Sequence, residues 1–273
     1  ELGANAPDLT SKTFEGVTID IERLPIQKAL AKKAAGGGAA AQTTPAQHQS
    51  RHRPLLGGTQ ISPSGVNYVG TLGGIVRRGT EYFILSNNHV LANTNRLPIG
   101  RRIGQPLGSP ASNAVARLSE YEPILFPDAS GVAPRNRMDA AIAILENTNL
   151  TTVPGQMYGI PTYVAQIGTP VPGTTVTKSG RTTAVTRGQV IATNVNGVIV
   201  NYGTEANPML ATFDRCVQVR SSTGSFSNPG DSGSFILSAQ SGRAVALLFA
   251  GDGTNTFGCD MTAVCTRFQV VPA

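Results

Sequence analysis

The apolar residues of this chain come in short runs closed by turn residues, and that grain limits the fold more than any other feature. From Leu55 onward the runs read "YVGTLGGIVRR", "TEYFILSN", "NAVARLSEY", "DAAIAIL", "TYVAQI", "TTVTKSG", "GQVIATNV", "GVIVNYG", "FDRCVQVR" and "GSFILSAQSGRAVALLFAG". Gly, Pro, Asn, Asp and Ser stand between them, the residues that build turns. Helical periods are too few among these runs for a parallel sheet with crossover helices. An antiparallel sandwich or a pair of barrels fits. With 31 Gly, 18 Pro and only 14% charged residues, composition points the same way. The expected class is all-β, a double antiparallel β-barrel with a small N-terminal strand-helix extension.

The first 54 residues have a different texture. Residues 1–15 are polar and turn-rich, and "GVTIDIERL" then alternates Val17, Ile19 and Ile21 with polar residues, a strand with one buried face. Pro25 opens "PIQKALAKKAA", which reads as a short helix stopped by Gly36, Gly37 and Gly38. The following "GGGAAAQTTPAQHQSRHRP" reads as a linker. The expected organisation is 1–54 as extension and linker, 55–155 as the first barrel and 156–273 as the second. The two runs "YVGTLGGIVRR" and "TEYFILSN" flank a Gly turn and form a hairpin. No internal repeat is visible.

Several function classes drop out early. Net charge is +6, but its Arg residues are scattered, and the pairs Arg77-Arg78 and Arg101-Arg102 read as solvated loops, not a nucleic-acid footprint. The longest apolar run, "AVALLFA", is far short of the ~20 residues of a membrane span. Cys216, Cys259 and Cys265 make an odd count without metal-site spacing; a Cys259–Cys265 bridge and buried thiols are both open. Neither metal nor cofactor is expected. With no membrane span the chain reads as soluble; it starts at Glu1 with no initiator Met and no signal peptide, as a processed or trimmed product would, so cytoplasmic and secreted compartments are both open.

Chemistry concentrates in "NPGDSGSFIL", residues 228–237, where a tight corner opens an apolar strand. A turn alone would explain those residues. A second reading makes Ser232 a nucleophile, which then needs a base beside it. Histidine is the usual base near neutral pH, and the chain has three. His48 and His52 fall in the expected linker and read as exposed. His89, in "YFILSNNHVLAN", follows an apolar strand. A carboxylate must then fix the imidazole tautomer. Asp139 stands at the mouth of the apolar "DAAIAIL", where burial demands a partner. Asp128, in "LFPDAS", competes but reads as a surface turn.

His89, Asp139 and Ser232 follow one another at intervals of 50 and 93 residues. The chymotrypsin template has the same order, with roughly 45 and 93. An α/β-hydrolase would need the serine first and a helix after it. The chain thus resembles the trypsin/chymotrypsin-like serine peptidases over about residues 55–270. "NNHVLA", "DAAIAIL" and "GDSG" match the histidine, aspartate and serine motifs. "GTLGGIVRRGTEYFILSNNHVLANTN", "KSGRTTAVTRGQV" and "ALLFAG" are similar to a bacterial group and to plant Narrow Leaf-type proteases.

That resemblance implies a chymotrypsin-like fold and serine endopeptidase activity on protein or peptide substrates. The alternative is a silent scaffold or binding module of the same fold. The catalytic residues would be His89, Asp139 and Ser232, with the Gly230 and Ser232 N–H groups as oxyanion hole. The residue six before the serine is Phe226. With Ser227 and Gly251 it would line a pocket for small or medium apolar side chains, and Asp252 is the main threat to that pocket. "KSGRTTAVTRGQV" is expected to be a tight hairpin whose Lys178 and Arg181 are solvated. In trypsin-like zymogens a freed N-terminal ammonium pairs with the aspartate before the serine, here Asp231. "PLLGGTQI" reads instead as the start of the first barrel, with Asp231 satisfied by internal amides or an Arg. Residues 16–36 are expected to dock on the barrels, on a regulatory partner or on a second copy of the chain.

Overall fold

The computed structural model describes residues 11–14, 17–20, 27–29, 32–33, 43–129, 131, 133–147, 150 and 154–273. Two large sheets carry them. In the first, neighbours run Gly74–Arg78, Glu81–Ser86, Ala141–Leu145, Ala114–Tyr121, Arg102–Gly104, Gln60–Pro63 and Tyr68–Thr71, each pair antiparallel. In the second, six strands close a ring: Thr175–Gly180, Ala184–Val195, Cys216–Arg220, Asn255–Asp260, Ala244–Gly251, Phe235–Ser238, and back to Thr175–Gly180. The chain is all-β, as its turn-punctuated runs require. The expected hairpin forms, with Gly74–Arg78 and Glu81–Ser86 joined by a two-residue turn.

Three cores explain why the runs are so uniformly apolar. Successive side chains of a strand point to opposite faces. In Glu81–Ser86, Ile84 enters the core of the first sheet, whereas Phe83 and Leu85 enter a core shared with the second. Ala141 and Ala143 likewise face one way and Ile142 the other. In Ala244–Gly251 every residue is buried: Ala246 and Leu248 fill the second barrel, Leu247 and Phe249 the shared core. Two buried faces remove the polar alternation that a one-sided strand would show.

The C-terminus ties the sheets together. Asp260 accepts the Ala263 N–H (3.0 Å) and starts the helix Met261–Phe268, whose Val264 and Phe268 sit in the shared core. Val271–Pro272 then pairs with Gly74–Arg78 of the first sheet.

The N-terminal region departs from expectation twice. Val17–Asp20 is a strand, paired with Ser11–Phe14. The helix expected over "PIQKALAKKAA" is not there: Gln27–Ala29 and Lys32–Lys33 are strands. These residues pair as strands because the sheets offer them ladder hydrogen bonds that outweigh local helix propensity. The expected linker contains a helix, Thr43–His48, and its His48 is buried. His48 Nδ1 lies 2.9 Å from the Gly58 carbonyl, and the ring meets Tyr158 edge-on. Low apolar content hid a segment held by polar contacts.

Candidate active site

Register brings His89 and Asp139 together. Ala141 stands opposite Ser86, so the residues just beyond Ser86 and just before Ala141 meet at one end of the sheet. Asn88–Leu91 turns into a short buried helix there. His89 Nδ1 lies 2.5 Å from Asp139 Oδ2, and the His89 N–H donates to Oδ1 at 3.1 Å. The Tyr202 hydroxyl also donates to Oδ2, at 2.8 Å. Asn87 donates to the Asp139 carbonyl (2.7 Å), and the Asp139 N–H points at Cys259 Sγ (3.2 Å). Asp139 is fully buried, and these donors answer the cost of burying its charge. Burial, then the nearby Asp139 carboxylate, push the Tyr202 phenol well above its ordinary range, so it remains a donor. Tyr202 was not read from the sequence; at the end of "GVIVNYG" it looks like any strand terminus.

Ser232 sits on a loop whose shape needs two glycines. Gly230 has φ +106° and Gly233 φ +94°. A Cβ on Gly230 would lie 2.3 Å from Thr182 Oγ1, and one on Gly233 would lie 2.1 Å from Ser86 Oγ. Both angles belong to the region that L side chains avoid. The loop is fastened to the first sheet: the Thr71 N–H donates to the Ser232 carbonyl (2.8 Å) and Thr71 Oγ1 to the Gly230 carbonyl (2.8 Å). Ser86 Oγ donates to the Thr71 carbonyl (2.8 Å), so the strand that leads into His89 also braces the loop. The Gly230 and Ser232 N–H groups donate to no backbone carbonyl of a described residue. Ser232 Oγ donates to the Phe249 carbonyl at 3.3 Å, and the buried His89 Nε2 has no partner among the described residues.

Asp231 is fully buried and thoroughly satisfied. Its Oδ1 accepts the Thr182 and Thr183 N–H groups (2.9 and 3.2 Å); its Oδ2 accepts the Thr183 hydroxyl (2.7 Å) and the Asn228 N–H (3.0 Å). Lys178 Nζ completes the set at 3.5 Å. This corrects the sequence reading of "KSGRTTAVTRGQV". The hairpin is real, Thr175–Gly180 against Ala184–Val195, but Lys178 and Arg181 are buried, not solvated. Lys178 also donates to Thr183 Oγ1 and to the Ala184 carbonyl. Burial holds its pKa below the ordinary lysine value, and Asp231 opposes that shift.

The other predicted site residues divide. Ser227 Oγ lies 2.7 Å from Thr256 Oγ1, and Thr256 stands opposite Gly251, so those two positions share a neighbour. The Phe226 ring is buried with Val176, Val190, Val219 and Leu248 in the second barrel's core. Asp252 accepts from Gln27 and Asn255 side chains and from the Thr254 and Asn255 N–H groups. Cys216, Cys259 and Cys265 are buried thiols; burial pushes Cys265 up to about 11. Among the described residues no His, Cys, Asp and Glu group could hold a metal ion, and no helix is long and apolar enough to cross a membrane.

A closed six-stranded antiparallel barrel and a second antiparallel sheet, with a buried Asp-His pair and a Gly-Asp-Ser-Gly loop, have the architecture of a chymotrypsin-like double barrel. No family model matches the chain, and no curated protein matches its sequence. Solved structures do match. A glutamic acid-specific serine protease is 19% identical with a TM-score of 0.54, over 80% of this chain and 100% of its own. Thermobifida fusca protease A (18%, TM-score 0.55) and Cellulomonas bogoriensis chymotrypsin (17%, TM-score 0.53) each cover 80% of this chain and 98% of their own. Likeness at this identity shows the shared fold.

Proposed function

We propose that the chain is a serine endopeptidase with His89, Asp139 and Ser232 as its catalytic residues. The observation that carries this reading is the Asp139–His89 pair, clamped by three donors on the carboxylate, beside a loop strained to present Ser232. In this reading the Ser232 side chain must leave the Phe249 carbonyl and turn its Oγ toward the unpartnered His89 Nε2. His89 then takes the hydroxyl proton as Oγ attacks a peptide carbonyl, and returns it to the leaving amine. Asp139 keeps the tautomer that leaves Nε2 free to accept. The Gly230 and Ser232 N–H groups receive the oxyanion; one such donor is worth ~3–4 kcal/mol.

We assign specificity for small or medium apolar side chains to Ser227 and Gly251, where no carboxylate would pair an Arg or Lys; the Phe226 ring of the expected pocket is turned into the barrel core, and Asp252 is already engaged by Gln27 and Asn255. The relation to bacterial relatives of plant Narrow Leaf-type proteases rests on the sequence motifs alone. The second reading is a silent scaffold, favoured by the Ser232–Phe249 hydrogen bond and the unpartnered His89 Nε2. A fluorophosphonate probe separates the two. Labelling is expected on the wild-type chain and lost in Ser232→Ala and His89→Ala. Labelling that survives Ser232→Ala would overturn the assignment, and a peptide-library profile dominated by Arg or Lys would overturn the pocket.

A further inference from the structure

Arg181, only 7% exposed, is a buried cation without a matching anion. Its Nη1 donates to Thr182 Oγ1 at 3.3 Å, and its buried Nε has no partner among the described residues. A guanidinium is rich in N–H donors and stays charged, so burying it with one hydroxyl for company is costly. Burial holds its pKa below the ordinary arginine value, and Asp231 opposes that shift. Asp231, though, already has four hydrogen bonds and Lys178. Two buried cations thus share one buried carboxylate, and one positive charge is left over.

That charge stands at the nucleophile loop. The main-chain N–H of Arg181 donates to Thr71 Oγ1 (3.1 Å), the hydroxyl that donates to the Gly230 carbonyl. Thr182 Oγ1 donates to the Pro229 carbonyl at 2.8 Å, and Gln49 Nε2 donates to the Arg181 carbonyl at 3.1 Å. The side chain lies against Gly230: a Cβ there would come 2.9 Å from Arg181 Cδ and 3.1 Å from Nη1. Glycine at 230 therefore leaves room for the arginine as well as for the turn. The guanidinium borders the residue whose N–H would receive the oxyanion.

Register says which half of a substrate passes it. Asn255–Asp260 pairs along one edge of Ala244–Gly251. On the other edge the Leu248 carbonyl accepts the Gly233 N–H, the Leu248 N–H donates to the Ser234 carbonyl, and Phe249 accepts from Ser232 Oγ. Immediately beyond, Gln27–Ala29 takes over, with Ala29 opposite Ala250 and Lys28 opposite Gly251. This edge thus takes an extended antiparallel chain that advances toward Ser232. The acyl half of a peptide fits there, and its leaving half continues past Ser232. The loop has the same polarity: Ser227 bonds Thr256, opposite Gly251, whereas Gly230 and Ser232 bond Thr71 of the first sheet. Arg181 stands at the Thr71 end.

We propose that Arg181 forms a carboxylate subsite on the leaving-group side of Ser232. It takes an Asp or Glu side chain within the first two residues after the scissile bond, or a peptide's own C-terminal carboxylate at that place. The proposal rests on the reading of Ser232 as nucleophile, and it adds a second determinant to the apolar pocket before the cut. A carboxylate meets a guanidinium edge through two parallel hydrogen bonds, and Nε with one Nη forms such an edge. The ligand thereby supplies both the partner that Nε lacks and the missing negative charge.

The test uses the full chain and peptides from the library in matched pairs. One set has an amidated C-terminus and differs only as Asp against Asn, or Glu against Gln, at the first two positions after the cut. A second set ends at those positions, as free acid or as amide, and so separates the two sources of carboxylate. The wild-type chain is expected to show kcat/KM about 10- to 100-fold higher for the carboxylate member in at least one set. In Arg181→Gln the preference should vanish; in Arg181→Lys, which keeps the charge without the fork, it should fall only in part. Taking the ratio within each chain cancels any general loss of activity. Equal rates within every wild-type pair would overturn the subsite and leave the protease reading standing. A preference that survives Arg181→Gln would also overturn it. If no peptide is cut, the endopeptidase reading falls and the subsite with it.

Discussion

Asp139 accepts three hydrogen bonds with its two oxygens, and each donor has a different consequence when removed. Asp139→Asn keeps the shape but forces the wrong imidazole tautomer, so kcat should fall by ~10⁴, as in the trypsin precedent. Tyr202→Phe keeps both the charge and the tautomer and removes one donor. A hydrogen bond to a charged group is worth about 1.5–3 kcal/mol, so the expected loss is roughly 10- to 100-fold in kcat with KM little changed. Steady-state kinetics on a peptide selected from the library checks both; a Tyr202→Phe chain at full rate would show that the phenol only fills space. The Asp-His pair was legible because burying a carboxylate in "DAAIAIL" demands a partner and few histidines compete. Tyr202 was not, because its partner lies 63 residues away in the chain and nothing local marks it.

The hairpin around Arg181–Thr183 acts as a socket for Asp231, and its lysine is the part most exposed to mutation. Lys178 and Asp231 are both fully buried. Lys178→Met leaves the carboxylate its four hydrogen bonds but no counter-charge. Breaking one side of such a pair costs about 3–5 kcal/mol, to be read as a lowered urea midpoint. An unchanged midpoint would show that the hydrogen bonds alone suffice. The hairpin itself was legible from alternation and turn residues. Its burial was not, since Lys178's partner lies on a loop far along the chain. The helix expected over "PIQKALAKKAA" failed for a related reason: Ala, Leu, Lys and Gln favour helix locally, and the sheet edges that win lie elsewhere. The helix Thr43–His48 adds a pH-dependent element. Burial first, and Lys178 among the charges, hold His48 below its ordinary value of 6.5, against the Gly58 carbonyl and Asp231. The unfolded chain therefore binds the proton more readily than the folded one. The stability from this site is full above about pH 6.5 and is lost as pH falls toward the folded value. Between about pH 7 and 5 the wild-type urea midpoint should drop more than that of His48→Gln; parallel curves would remove His48 from the account.

At the scale of the whole molecule, three cores hold two sheets as one body, and the shared core draws on both. The apolar runs disclosed strands with two buried faces; which face meets which sheet depends on long-range register that one sequence does not display. The same architecture bears on activation. Zymogens of the trypsin type complete their active loop when a new N-terminal ammonium reaches the aspartate before the serine. Here that aspartate is already enclosed by the Thr182, Thr183 and Asn228 N–H groups, the Thr183 hydroxyl and Lys178. Leu55, the residue that an "LLGG" terminus would begin with, is itself built into the fold. Its side chain is buried in the first sheet's core, and its N–H donates to the Leu150 carbonyl at 2.7 Å. A freed ammonium there would have to leave that core to find a carboxylate already paired. Cleavage between Pro54 and Leu55 should therefore not raise the rate of fluorophosphonate labelling. N-terminal sequencing of labelled molecules should return Glu1. If only chains beginning at Leu55 carry the label, the lysine has not replaced the terminus and the activation argument is wrong.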